Sequence, residues 1–231
     1  MKKAFKAALP RTIPVMAGYI FLGIAFGLLM SNSGYGILWA LAMSVFIYAG
    51  TAQFLGVSLL AAGASLPSVA LLTFILNFRH FFYGLSMLSK YKDTGKVKPY
   101  LIFGLTDETY AILAGGLVPQ DVDETKYYFA VTLLDQIYWV LGSVLGNAFG
   151  AIITIDLTGI DFAMTALFAI LVVENWKAHS RHLPAMVGFL ISIVCLIIFG
   201  VNNYLIPALV GITLVLLFWG DRRKFELQEG E

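Results

Sequence analysis

Long apolar stretches alternate with short polar linkers along almost the whole chain. A helix that crosses a bilayer needs about 20 mostly apolar residues at about 1.5 Å each. Segments of that kind are 13–30, 37–63, 66–88, 100–118, 127–152, 161–175, 184–200 and 204–219. Between them lie SNSGYG, GASLP, KYKDTGKVKP and VPQDVDETK, rich in Gly, Ser, Pro or charge. The pattern predicts an all-α, polytopic membrane helix bundle of about six to eight membrane segments. Residues 1–231 are expected to form a single integral membrane domain.

Lys and Arg in short loops favour the cytoplasmic side. Basic stretches are the N-terminus (Lys2, Lys3, Lys6, Arg11), 89–98 (Lys90, Lys92, Lys96, Lys98), 177–182 and the tail (Arg222, Arg223, Lys224). Segment 119–126 carries Asp121, Asp123 and Glu124 and is expected on the opposite side; 153–161 has Asp156 and Asp161. One crossing per segment would put 89–98 outside. The conflict disappears if 37–63 and 127–152 are broken or re-entrant, and YAGTAQFLG and GSVLGNAFG interrupt them near the middle. This predicts an internal repeat of two parallel units, 13–88 and 100–175, followed by a hairpin at 184–219. Seven or eight simple crossings is the alternative.

Composition narrows the function classes. Hydrophobic residues make up 59% of the 231 and charged ones 13%, about half the soluble average. MKKAFKAALPR imitates the start of a signal peptide, but Ile13–Met30 is long enough to be a first span. Cys195 stands alone, so no internal disulfide forms, and no zinc-type spacing is present. A net charge of +1 gives no field for nucleic acid. Phosphate loops, nucleophile elbows and dinucleotide fingerprints are missing, so neither an enzyme nor a cofactor or metal is expected.

Polar residues inside apolar runs are therefore the candidate chemistry. NFRHFFYG (77–84) puts Asn77 and His80 three apart and Arg79 and Tyr83 four apart, so each pair shares a helix face. An arginine at the bilayer centre costs about 2.5–3.5 kcal/mol on insertion scales. It faces a polar cavity, or pairs with an acid that holds helices together. GLTDETYAIL holds Asp107 and Glu108, which serve as counter-ions to Arg79, as proton carriers, or as a solvated helix end. YAGTAQF (48–54) offers Gly50, Thr51 and Gln53 at a broken or simply well-packed helix. Asp135 is a further binding or coupling candidate. Trp139, Gly142, Gly146 and Gly150 follow it on one helical face, a small-residue stripe suited to a packing interface, as is Gly23-x-x-x-Gly27. Glu174 and Asn175 read as interfacial.

YAGTAQF, NFRHFFYG and LTDETYA, in that order, resemble the AzlC family, large subunits of branched-chain amino acid exporters, and the likeness extends over about residues 5–220. The resemblance implies a multi-pass protein of the bacterial inner membrane, exporting branched-chain or other hydrophobic amino acids beside a small AzlD-type membrane subunit. It also implies roles for Gln53, Asn77, Arg79, His80, Asp107 and Glu108. Tyr48, Thr51 and Phe78 stand where the family pattern is expected to carry phenylalanine, a small residue and leucine. The expected function is proton-coupled secondary transport; an uncoupled permease or channel and a non-transporting assembly protein are the alternatives.

Overall fold

The computed structural model describes residues 1–115, 118–152, 169, 172–173, 176–177, 182–200, 204 and 207–215. Most of segment 161–175, with Glu174 and Asn175, lies outside the described residues, as do Asp156, Asp161 and the basic tail. Helices α1 (Lys2–Asn32), α2 (Ile37–Phe46), α3 (Gly50–Ala61), α4 (Leu66–Asn77), α5 (Arg79–Met87), α6 (Lys98–Phe103), α7 (Asp107–Gly115) and α8 (Glu124–Gly150) belong to one compact unit, Met1–Ala178. No strand occurs among the described residues. In the second unit, His179–Glu231, α9 (Leu183–Phe199) packs with residues 207–215, Gly211 lying against Ile191 and Gly188 against Ile212.

Among the described residues, α1 and α8 are the two continuous helices long and apolar enough to cross a membrane. They form the most extensive helix contact among the described residues and run parallel. Thr12 meets Tyr138, Gly23 meets Gly142 and Ser143, and Ser31 meets Gly150, so the register advances together. A methyl group at Gly142 would lie 2.7 Å from the Ile20 carbonyl oxygen, and one at Gly23 2.9 Å from that of Trp139. Gly27 and Gly146 are tighter still, so backbone touches backbone without room for a side chain.

The other helices are short and interrupted. Segment 37–63 is broken at Ile47–Ala49, where buried Tyr48 adopts φ +44°, an unusual conformation for a bulky residue. Met43 Cε then comes within 3.5 Å of where a Gly56 side chain would start. A straight helix would separate these residues by about 20 Å, so the chain folds back. Segment 66–88 is bent by 46° at Phe78.

Three expectations are corrected. Segment 127–152 is not broken: α8 is one helix of 27 residues, and its glycines serve the contact with α1. Segment 100–118 is not one span, because Gly104–Thr106 divides it into helices of six and nine residues. At 1.5 Å per residue neither approaches a bilayer's thickness of about 30 Å. α7 runs alongside α5: Asp107 meets Arg79, Tyr110 stacks on Tyr83, and Lys90 donates to the carbonyls of Leu113 and Ala114. Lys90 thus caps α7, and burial lowers its pKa below the ordinary lysine value. The hairpin α6–α7 therefore opens toward the end that holds the α1 N-terminus. Lys3 and Asp121 lie 3.7 Å apart there, which puts the acidic loop on the same end as the basic N-terminus rather than opposite it.

Two measurements check this arrangement. Cysteines placed at Asp121 and at Lys92, in a Cys195→Ala background, will respond alike to an impermeant thiol reagent in intact cells. Labelling of one with protection of the other would contradict the shared end. Gly146→Ala will lower stability by about 1–3 kcal/mol through overpacking, read as thermal unfolding in detergent. Gly84→Ala, which meets open space, will be neutral or stabilising by up to about 1 kcal/mol.

Candidate functional site

All three interruptions meet at one cavity. Its walls are Tyr48–Thr51 from the α2–α3 break, Asn77, Arg79 and His80 from the α4–α5 bend, and Thr106–Glu108 from the α6–α7 break. Tyr19 and Leu22 of α1 and Trp139 of α8 complete it. The cavity volume is about 40 Å³, space for about three water-sized groups. Half-helices that begin at such a point turn unpaired N–H groups and the positive ends of their dipoles toward it.

Local chemistry explains each edge. At the start of α3 the Gln53 side chain reaches back, its Oε1 accepting from the Ala49 N–H at 3.2 Å and from Trp139 Nε1 at 2.9 Å. Thr106 caps α7 by accepting from the Thr109 N–H at 3.3 Å. At the bend, His80 Nδ1 lies 3.0 Å from the Asn77 carbonyl, a group freed where the helix changes direction.

Asp107 and Glu108 adjoin in sequence but diverge in space, since successive helix positions differ by about 100°. Arg79 Nη2 pairs with Asp107 Oδ2 at 2.9 Å, both side chains largely buried. Glu108 turns to α1, where its Oε2 lies 2.6 Å from Tyr19 Oη. Tyr19 Oη is 2.7 Å from Thr106 Oγ1, which is 3.1 Å from Thr109 Oγ1. Thr109 Oγ1 lies 2.8 Å from Oδ2 of Asp135, a fully buried residue. Three polar atoms of cavity-wall residues are buried without a hydrogen-bond partner within the protein, Arg79 Nε, Asp107 Oδ1 and Tyr48 Oη, and so are Asp135 Oδ1 and Gln53 Nε2 behind the wall. Buried polar groups are nearly always satisfied, so such a cluster marks a ligand or water site.

Among the residues expected from the sequence, the structure brings Asn77, Arg79, His80, Asp107 and Glu108 to the cavity wall. Gln53 and Asp135 stand behind it, joined through Trp139 and through Thr109. Gly142, Gly146 and Gly150 lie against α1 and do not line it. Sequence reasoning missed Tyr19, Thr106 and Thr109. Thr106, directly before the acidic start of α7, is an N-cap residue type, but nothing in the sequence ties it to Tyr19 or to Asp135. Among the described residues no cluster of His, Cys, Asp and Glu suited to a metal ion occurs.

Comparison with known proteins gives the family. The family model described as "AzlC protein" matches residues 14–153, which contain all three breaks and the glycine face. A Bacillus subtilis protein named "Branched-chain amino acid transport protein AzlC" is 42% identical over 213 residues, 92% of this chain and 84% of its own length. An uncharacterized membrane protein of Helicobacter pylori is 42% identical over 94% of this chain and 95% of its own. The Escherichia coli "Inner membrane protein YgaZ" is 34% identical over 61% of this chain and 58% of its own. No solved structure matches. A helical protein with apolar spans, matched by this family model and at this identity over nearly its whole length, is a membrane protein and belongs to the AzlC family.

Proposed function

We propose that this chain exports branched-chain or similar hydrophobic amino acids across the bacterial inner membrane, driven by the proton gradient, as the large subunit beside a small AzlD-type partner. The observation that carries the reading is the pair of unpartnered buried atoms on one ion pair. Arg79 Nε offers a hydrogen and Asp107 Oδ1 accepts one. An amino acid's head group is the complement, with a carboxylate for the arginine and the helix starts and an ammonium for the aspartate. The cavity of about 40 Å³ suits that head group and not an aliphatic side chain. Beyond His80 lies an open, largely apolar groove of about 380 Å³, lined by Phe81, Leu85, Met87, Leu88, Ile102 and Leu105 with Lys98 at its edge, which suits the aliphatic part. The relative in B. subtilis, named for branched-chain amino acid transport, supports the substrate class.

Orientation follows from charge. The end that carries the N-terminal basic residues and Lys90 faces the cytoplasm by the positive-inside rule; Asp and Glu count for little in it. On this reading α6–α7 enters from the cytoplasm and α2–α3 from the outer side, and the cavity lies where they meet. Assigning six to eight membrane segments, with Asn77, Arg79, His80, Asp107 and Glu108 as binding or coupling residues, is part of the same proposal.

Leucine, isoleucine, valine and methionine efflux from proteoliposomes, with and without the small subunit and a pH gradient, tests it. Gradient-driven efflux is the expected result. Downhill flux indifferent to the gradient would mean an uncoupled permease, and no flux in either preparation would favour an assembly role. Arg79→Ala will abolish efflux and exchange alike. It also strands a buried acid, a loss of about 3–5 kcal/mol for a fully buried pair and toward the low end here, where some exposure remains. The double variant Arg79→Ala/Asp107→Asn will recover folded protein, measured by thermal unfolding, without recovering transport.

A further inference from the structure

Hydrogens can be counted along the row of oxygens from Glu108 to Asp135. It has four contacts: Glu108–Tyr19 at 2.6 Å, Tyr19–Thr106 at 2.7 Å, Thr106–Thr109 at 3.1 Å and Thr109–Asp135 at 2.8 Å. Each needs one hydrogen, and the three hydroxyls bring one each. With both carboxyls ionised, one contact is left with lone pairs facing each other and no hydrogen between them. A fourth hydrogen, on either carboxyl, closes every contact. If Glu108 holds it, each hydroxyl donates toward Asp135; if Asp135 holds it, each donates toward Glu108. The two arrangements are equally complete.

We propose that Glu108 and Asp135 share one proton, relayed between them by Tyr19, Thr106 and Thr109. In one transfer Glu108 gives its hydrogen to Tyr19, Tyr19 to Thr106, Thr106 to Thr109, and Thr109 to Asp135. Each hydroxyl loses one hydrogen and gains one, so the net change is one proton moved from the first carboxyl to the second. All five residues are buried from bulk solvent, and the row leads from Glu108, Tyr19 and Thr106 on the cavity wall to Thr109 and Asp135 behind it. The direction of transfer connects with the cavity, and this rests on the proposed transport. Glu108 lines the cavity and Asp135 does not, so an ammonium held at Asp107 in that small cavity lies nearer Glu108 than Asp135, favours the ionised form of Glu108 and sends the proton to Asp135. Other titratable groups face the row: Arg79 and His80 from α5, Asp107 from α7, Tyr48 from the α2–α3 break and Tyr100 from α6. None of them lies between the paired oxygens, so none supplies the fourth hydrogen.

Infrared difference spectroscopy of the purified protein at neutral pH, on exchange from water to deuterium oxide, tests the shared proton without any transport. A neutral carboxylic acid band is expected in the wild type. Glu108→Gln and Asp135→Asn will each remove it, because the new amide supplies the missing hydrogen and leaves the other acid ionised. Asp107→Asn will keep it. Absence of the band from the wild type, or its survival in both amide variants, overturns the proposal. The relay is tested in proteoliposomes with Thr109→Val, which lacks the hydroxyl and does not line the cavity. Gradient-driven leucine efflux will fall at least tenfold while leucine–leucine exchange continues, and Thr109→Ser will restore it. Wild-type driven efflux in Thr109→Val overturns the relay. A wild type that shows the band pattern but no gradient-driven flux would sink the transport reading and leave the shared proton standing.

Discussion

Contact between the backbones of α1 and α8 is the constraint on which the unit Met1–Ala178 depends. Gly23 and Gly27 meet Gly142 and Gly146 with no side chain between them, so the two helices form one rigid two-stranded post. Apolar burial gives little drive to helix association within lipid, so close packing and interhelical hydrogen bonds must supply it. The post turns one row of α8 side chains toward the broken helices. Asn147 donates to the Gly27 and Tyr35 carbonyls, Gln136 to the Val45 carbonyl, and Trp139 to Gln53. Each bond either ties α8 to α1 or satisfies the chain near an interruption. Broken backbone at membrane depth survives only where protein or a polar cavity attends to it, and α8 attends to the α2–α3 break.

The candidate site was legible because polar residues are so costly in an apolar run. Arg79, His80, Asp107 and Glu108 stood out for that reason, and the structure brings them to one cavity. The interruption in 37–63 was also visible, from Gly50 and the polar residues beside it. Other features were ambiguous for physical reasons. A glycine run such as GSVLGNAFG suits a broken helix and a closely packed one equally well, and only the partner surface on α1 decides. GLT in segment 100–118 has just one helix-breaking residue, yet Gly104 has Thr132 pressed against it, and the chain turns there. Tyr19, Thr106 and Thr109 were hidden because hydroxyl residues are common on ordinary helix faces, and their role depends on neighbours distant in sequence. The pairing of α1 with α8 left a trace that a unit boundary at residue 100 obscured. Tyr19-x-x-Leu22-Gly23-x-x-x-Gly27 and Tyr138-x-x-Leu141-Gly142-x-x-x-Gly146 carry the same string, on the two helices that lie parallel.

The three acids Asp107, Glu108 and Asp135 divide their work according to what each can reach. Helical rotation sends Asp107 to Arg79, which matches it charge for charge, and sends Glu108 to Tyr19 on the opposite wall. Glu108 and Asp135 have no cation hydrogen-bonded to either of them among the described residues. Two further full negative charges in a poorly solvated interior would repel one another and find no compensation. A shared proton removes one of them with no additional side chain, and the hydroxyl row lets either acid be the one relieved. The remaining negative charge can then lie beside the cavity or behind it. An arriving zwitterion brings no net charge, but its two ends are separated, so it distinguishes the two positions. A site that only held the helices together would gain nothing from this freedom; a site that must bind and release a zwitterion gains a means of sensing it.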